Sequence, residues 1–314
     1  MRKRLILVSF SAVIIAALLF TNPLLAGLTE SIFLQTESSE EAIPVPDKKV
    51  VPAAGAKDDA PIKKNVSRKS YNQLIDDIKG YISDKEGIFG IYFISLTTGQ
   101  SFGINENEVF TAASTVKVPI NLYLFNRIAQ NKINPAKNLL YTEEDYEEGT
   151  GTIQFGDFGT KYSIRELSQL SIEASDNIAI NMLMRYLGRN NILKFMESIV
   201  KHPVDKERNV STPKDMALYL KALLAFREKN TKLGDELLDY MEHTEFNDRM
   251  PLYLPENIPV AHKIGTQVKA IHDIGIVFAE KPFILSILSE EVDEELAPEV
   301  IAQISRMVYD FEQE

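Results

Sequence analysis

The chain has no cysteine, no tryptophan and only four histidines in 314 residues. Without cysteine there is no disulfide framework, no thiolate zinc or iron–sulfur centre and no cysteine nucleophile. Basic residues are also short: 34 Lys and Arg stand against 45 Asp and Glu, a formal net charge of −11. That excess of acid argues against nucleic acid as a partner, because phosphate recognition rests on clustered Lys and Arg. His202, His243, His262 and His272 form no His-Glu-x-x-His pair, and no acid-rich calcium loop occurs, so neither a metal nor a cofactor is expected. The composition is otherwise ordinary, 45% hydrophobic and 25% charged. Disorder throughout is excluded, and the chemistry must come from local motifs.

The long uncharged run lies at the N-terminus. Met1-Arg2-Lys3-Arg4 opens the chain and no charge follows until Glu30, a basic start before an apolar stretch and the layout of an export signal. As a helix, Leu5 to Leu28 would reach about 36 Å, enough for a bilayer core of about 30 Å. Residues 1–28 are therefore a retained anchor with its basic end in the cytoplasm, or a signal peptide interrupted at Pro23 and cleaved after Leu24-Leu25-Ala26. Either way the remainder is expected to work outside the cytoplasmic membrane. Residues 29–66 hold Pro44, Pro46, Pro52 and Pro61 among Ser, Glu, Lys, Asp and Ala, with Phe33 their only aromatic. So little apolar bulk cannot offset the entropy of ordering, and a linker spanning about 34 Å as a flexible coil is expected.

Residues 67–314 read as one domain of α+β order. Tyr71, Leu74, Ile75, Ile78 and Ile82 recur at helical spacing, and Ile88 to Leu96 is a strand ending at Thr97-Thr98-Gly99, with Gln100 to Ile104 returning beside it. Helices are expected over 114–130, 164–173, 176–187, 189–200, 212–228 and 232–242. Strands follow at 260–264, 272–278 and 282–288, then a last helix over about 294–312. A sheet built from both chain ends, with a helix-rich lobe inserted between them, leaves a cleft at the junction.

Three short motifs carry chemistry. In Ser114-Thr115-Val116-Lys117, helical spacing puts a hydroxyl and an amine on one face, about 5–6 Å apart at Cβ. Ser114 also lies at a helix start, where free N–H groups favour a developing anion. Ser175-Asp176-Asn177 precedes a later helix, and Lys263-Ile264-Gly265-Thr266 ends a strand. Gly149-Thr150-Gly151-Thr152 lacks the Gly-Lys-Ser/Thr ending of a phosphate loop and reads as a flexible segment at the cleft edge.

Taken in order, these motifs resemble the set found in class A β-lactamases and penicillin-binding proteins. Pro119 after the nucleophile motif, Ser211-Thr212-Pro213-Lys214-Asp215-Met216 and His272-Asp273-Ile274-Gly275 extend the resemblance over about residues 70–312. It implies an antiparallel sheet flanked by helices, an all-helical lobe, and an active site between them. It also implies roles: Ser114 as the acylated nucleophile and Lys117 as the group that takes its proton. A second cation, Lys263, would depress the Lys117 pKa and attract a substrate carboxylate. Ser175 would pass a proton to the leaving nitrogen, and Asn177 would hold Lys117 and a substrate amide. Gly265 and Thr266 would line the substrate, with the N–H groups of Ser114 and Thr266 as oxyanion donors. The implied partner is a β-lactam or a peptidoglycan stem peptide, bound by a monomer.

Three departures qualify the resemblance. No Glu-x-x-x-Asn pattern lies between Asn177 and Thr212, where class A enzymes carry the glutamate that activates the deacylating water. Residues 201–209 read as that loop cut short, and Glu207, otherwise a surface partner for Arg208, is the one substitute. Ile264 replaces a threonine, and no arginine stands by the Asp273 strand to grip a carboxylate; Lys269 and His272 are the stand-ins. Hydrolysis of a β-lactam, peptidase-like turnover with slow deacylation, and a non-catalytic wall-binding domain all remain open.

Overall fold

Strands from the two ends of the chain meet in one sheet. In the computed structural model, which describes residues 70–314, the N-terminal pair is β1 (Ile88–Ser95) and β2 (Ser101–Ile104). The C-terminal three are β7 (Val260–Gln267), β8 (Ala270–Val277) and β9 (Phe283–Glu290). Their order is β2-β1-β9-β8-β7, antiparallel throughout. The joint between the chain ends is β1 against β9, in the register Ile91↔Ile287. β8 is buried along its whole length and β9 nearly so, which explains why both read as continuous rather than alternating apolar runs. The expected signal or anchor at 1–28 and the linker at 29–66 lie outside the described residues.

Each face of the sheet has its own core. α1 (Tyr71–Ile82) and α8 (Ala297–Gln313) cover one face, with Leu74, Ile78, Ile301, Ile304 and Val308 packed on Phe93, Leu285 and Ile287. The second face carries α6 (Pro213–Lys229), and beyond it the lobe made by α2 (Lys117–Ala129), α3 (Ile164–Glu173), α4 (Asn177–Leu187), α5 (Arg189–Val200) and α7 (Thr231–Glu242). Side-chain caps start several of these helices. Ser163 and Glu166 form a reciprocal box on α3, Asp176 caps α4, and Thr212 caps α6 ahead of Pro213. The resulting architecture is the expected one: an antiparallel sheet flanked by helices, with a helical lobe inserted.

One boundary differs in a way that matters. The spacing predicts a helix from Ser114, but Ala113–Val116 forms a 3₁₀ turn and α2 begins at Lys117. Ala113 has φ +46°, outside helical space. The turn closes on the Ala112 carbonyl, which accepts from the Thr115 N–H at 3.2 Å and the Thr115 hydroxyl at 2.6 Å. Pro119 then falls in the first turn of α2, where an N–H would have no intrahelical acceptor. Two short ribbons complete the fold: β3 (Phe110–Thr111) with β6 (Val210–Ser211), and β4 (Asn138–Leu140) with β5 (Lys161–Ser163).

Candidate active site

The β3–β6 ribbon sets the nucleophile turn. Beyond Thr111↔Val210 it continues as a hydrogen bond from the Ala112 N–H to the Asn209 carbonyl at 2.9 Å. The chain then reverses through Ala113, whose positive φ stores roughly 1–3 kcal/mol of strain in a residue with a Cβ. Ser114 follows, half-buried. Neither its hydroxyl nor its N–H makes a hydrogen bond among the described residues, so both are available to a ligand. β7 passes close on another side. A Cβ at Gly265 would lie 3.1 Å from the Ala112 carbonyl oxygen and 2.9 Å from His272 Cδ2, so only glycine lets strand and turn approach this closely.

Two amines converge on one hydroxyl. Lys117 sits on the first turn of α2 with 3% exposure, and Lys263 on β7 with none. Ser175 lies between α3 and α4 at φ +52°, a second strained residue. Its Oγ is 3.3 Å from Lys117 Nζ and 2.9 Å from Lys263 Nζ. Lys117 also donates to the Ser175 carbonyl at 2.6 Å and to Asn177 Oδ1 at 2.8 Å. Burial lowers the Lys117 pKa from 10.5 to about 8, while the charges of Asp176 and Glu147 oppose the shift. Lys263 is pushed well below its ordinary value by burial and then by the Lys117 charge. Repulsion between two buried ammonium groups is mutual, so burial and that repulsion together disfavour charging both amines at once. With one amine neutral, the Ser175 O–H can donate to it while accepting from the other, a relay for a single proton.

The glycine-rich segment is built into this centre rather than free at its edge, which corrects the sequence reading. Thr150 Oγ1 donates to the Ser175 carbonyl at 2.6 Å, and the Asn177 N–H donates to the Thr150 carbonyl at 3.2 Å. Asp176 Oδ2 accepts from the N–H groups of Thr152 and Ile153, at 2.8 and 2.9 Å. Gly151 is required, since a Cβ there would stand 2.2 Å from the Asp176 carboxylate at a φ of +98°. Glu147 takes one amide hydrogen from Asn177 at 3.4 Å and one from Asn181 at 2.9 Å. A substrate carbonyl reaching Asn177 would displace this carboxylate.

An arginine also sits against β7: Arg249, absent from the sequence reading. It lies in the segment between α7 and β7, with no periodicity or motif to flag it. Its guanidinium is buried and donates to the carbonyls of Gly265 at 2.9 Å and His272 at 2.7 Å, and to Thr266 Oγ1 at 2.7 Å. The stand-ins are employed elsewhere. Lys269 is exposed and pairs with Glu86 and Glu291. Burial holds His272 at about 4, so it is neutral, and its Nδ1 accepts from the Ser289 N–H. His262 spends both ring nitrogens on Asp273 and Asn247. Ile264 is buried.

The short loop offers no aimed acid. Glu207 is exposed, and its carboxylate makes no hydrogen bond or ion pair among the described residues. Arg208 pairs with Asp205 instead, at 2.8 Å. The Asp205 carboxyl is held down at about 2 by the N–H groups of Arg208 and Glu207 and by the Arg208 side chain. The loop residue that touches the nucleophile turn is Asn209, whose Nδ2 donates to the Ala113 carbonyl at 3.0 Å.

Ser175, Asn177, Lys117 and Lys263 are therefore joined directly, and Gly265 packs against the turn at Ala112 and Thr115. Such a set can acylate a hydroxyl: a free nucleophile, an amine of lowered pKa, a proton relay and a buried cation. A family model described as "Beta-lactamase enzyme family" matches residues 73–311. The chain is 25% identical over 255 residues to β-lactamase SME-1 of Serratia marcescens, covering 73% of this chain and 86% of that one. It superposes on the solved structure of PBP-A with a TM-score of 0.72 and 25% identity, over 77% of this chain and 97% of that one. A point mutant of PBP-A, solved as an acyl-enzyme complex with penicillin G, matches with a TM-score of 0.71 and 26% identity, over 76% of this chain and 96% of that one. With the family match spanning most of its length, this chain belongs to the β-lactamase enzyme family.

Proposed function

We propose that the protein is an exported serine acyl enzyme that is acylated at Ser114 by a β-lactam or a D-alanyl-type amide and releases the acyl group slowly. The observation that carries this reading is the Ser175 hydroxyl held between the Lys117 and Lys263 amines, with Ser114 unengaged in the turn that leads into Lys117. Neutral Lys117 takes the Ser114 proton as Oγ bonds to the substrate carbonyl carbon. The carbonyl oxygen becomes an oxyanion facing the Ser114 and Thr266 N–H groups, each such donor supplying about 2.7–4 kcal/mol. When the C–N bond breaks, the proton passes from Lys117 through Ser175 to the nitrogen. Arg249, through Thr266, supplies positive charge for a substrate carboxylate.

Deacylation needs a base beside the incoming water, typically worth about 10²–10⁴-fold. The exposed Glu207 does not offer a fixed one, which supports slow release. The acylated relative bears on substrate class: mutant PBP-A accommodates penicillin G as an acyl group. The basic start and uncharged run of residues 1–28 support a site of action outside the cytoplasmic membrane, as anchored or secreted protein, on cell-wall stem peptides or antibiotics.

The test is to incubate the full chain with penicillin G and follow intact mass, beside Ser114→Ala. The expected result is one acyl adduct, absent in the variant and persisting after excess drug is removed. No adduct, or an equal adduct on Ser114→Ala, would discard the reading.

A further inference from the structure

The short loop carries no acid toward the nucleophile, yet it grips the nucleophile turn at two points. The Asn209 carbonyl accepts from the Ala112 N–H at 2.9 Å, and its side-chain Nδ2 donates to the Ala113 carbonyl at 3.0 Å. The first bond extends the β3–β6 ribbon and would survive a change of side chain. The second belongs to the side chain alone, and it falls on the strained residue: Ala113 has φ +46°.

Peptide geometry carries the consequence. The Ala113–Ser114 bond is trans, as are all the described peptide bonds. In a trans unit the C=O and the N–H lie in one plane and point to opposite sides. Fixing the Ala113 carbonyl toward Asn209 therefore fixes the Ser114 N–H away from the short loop. That N–H has no acceptor among the described residues. Rotation of this peptide plane would move an oxyanion donor directly. The loop end is itself stiffened, because Asp205 Oδ1 holds the N–H groups of Glu207 and Arg208 at 2.9 and 2.8 Å.

The geometry points to Asn209 as a positioning residue that presets the oxyanion hole: its side-chain amide holds the Ala113 carbonyl and thereby aims the Ser114 N–H at the substrate. The inference rests on acylation of Ser114, the reading given above. On this account the short loop serves the acylation step, through an amide, in place of supplying a base for deacylation.

The test compares the full chain with Asn209→Asp and Asn209→Ala. The aspartate is nearly isosteric but, ionised, cannot donate to the Ala113 carbonyl. The first readout needs no substrate. With ¹³C-carbonyl alanine and ¹⁵N serine, only the Ala–Ser dipeptides give carbonyl–amide cross-peaks, and the chain has two, Ala113–Ser114 and Ala174–Ser175. The Ala113–Ser114 peak should move in both variants, while Ala174–Ser175 stays. The second readout is the stretching frequency of the ester carbonyl after acylation with carbonyl-labelled penicillin G, which should rise as hydrogen bonding to it weakens. The acylation rate constant should fall about 10–100-fold, somewhat less than the loss of a whole oxyanion donor, with little change in substrate affinity. A role confined to loop stability would lower the melting temperature and leave both spectral positions alone.

A fixed Ala113–Ser114 peak, or a fixed ester frequency, in a variant that folds would overturn the assignment. If Asn209→Ala fails to fold, Asn209→Asp decides alone. Should the wild type take no acyl group, the functional reading fails, and the labelled dipeptide still tells whether Asn209 sets the peptide.

Discussion

Two segments contact residues 112–117 and contribute in opposite ways. The Ser175 turn brings a hydroxyl, a carbonyl and the neighbouring Asn177 amide to Lys117, and is itself locked by Thr150 and by the Asp176 bonds to residues 152 and 153. Its polar groups are buried, and nearly every one has a named partner. The 201–209 loop is exposed for most of its length, pairs its own charges internally through Asp205 and Arg208, and reaches the nucleophile turn only through Asn209. On the proposed mechanism the first region moves a proton during acylation, while the second fixes a backbone and leaves water unassisted. On that reading both elements serve acylation, and neither supplies a base for deacylation.

The sharpest way to break that contrast is Lys117→Ala. Removing the base should slow acylation by about 10²–10⁴-fold, read as the rate of adduct formation by mass. The wild-type rate carries a pH signature of the same residue. Its pKa is lowered from 10.5 to about 8, so the neutral, proton-accepting form dominates above about 8 and vanishes below it. The rate should climb with pH, close to tenfold per unit in the acidic range, and level off above about 8. A profile flat between pH 6 and 9, or a Lys117→Ala protein acylating at the wild-type rate, would remove Lys117 from the mechanism.

Ser175→Ala should have the next largest effect. It removes the hydroxyl shared by both amines but leaves Lys117 its bonds to the Ser175-position carbonyl and Asn177. The base survives and the relay is lost. For an open-chain amide, whose nitrogen must be protonated to leave, turnover should fall by about 10²-fold or more; acylation by a strained lactam should fall less. Equal losses on both substrates would indicate that Ser175 merely positions Lys117.

The legibility of the molecule follows the same division. Helices were readable because their apolar residues repeat at helical period, as in Leu74 and Ile78 on α1, and the central strands because their apolar runs are short and continuous. Ser114, Lys117, Ser175, Asn177 and Lys263 were readable because their chemistry sits in short motifs on or beside regular elements. Arg249, Glu147 and Asn209 were not, because each comes from irregular chain and gains meaning only from what folds against it. The displaced start of α2 was hidden for a related reason: alanine gives no sign of a positive φ, and the Ala113 conformation is imposed by the ribbon and the turn around it. Gly149 and Gly151 were noticed, but composition alone cannot separate a loose loop from one that needs glycine to pack against Asp176 and Asn177.

A milder probe joins the two regions through β7. Gly265→Ala puts a Cβ within 2.9 Å of His272 Cδ2 and 3.1 Å of the Ala112 carbonyl, so the strand must move away from the nucleophile turn. Overpacking of this kind costs about 1–3 kcal/mol and should lower the urea midpoint. Acylation should slow as well, because strand and turn each carry one of the two proposed oxyanion donors. A lowered midpoint with an unchanged acylation rate would mean that the separation of strand and turn is not critical.

The smallest effect is expected at Glu207, and it sharpens the contrast because it should be absent. In class A-like enzymes a loop carboxylate activates the deacylating water, and Glu207 is the acid the sequence offers for that task. Its side chain is exposed and makes no bond to another group, so nothing fixes it in the orientation a general base requires. Glu207→Gln should leave the lifetime of the acyl adduct unchanged within about twofold, at a difference of less than about 0.5 kcal/mol in barrier. Decay of the penicilloyl adduct, followed by mass after rapid removal of drug, measures it directly. A lifetime extended tenfold would mean that the loop closes over the acyl group and supplies its base after all, and the contrast between a proton-moving segment and a backbone-fixing loop would fall.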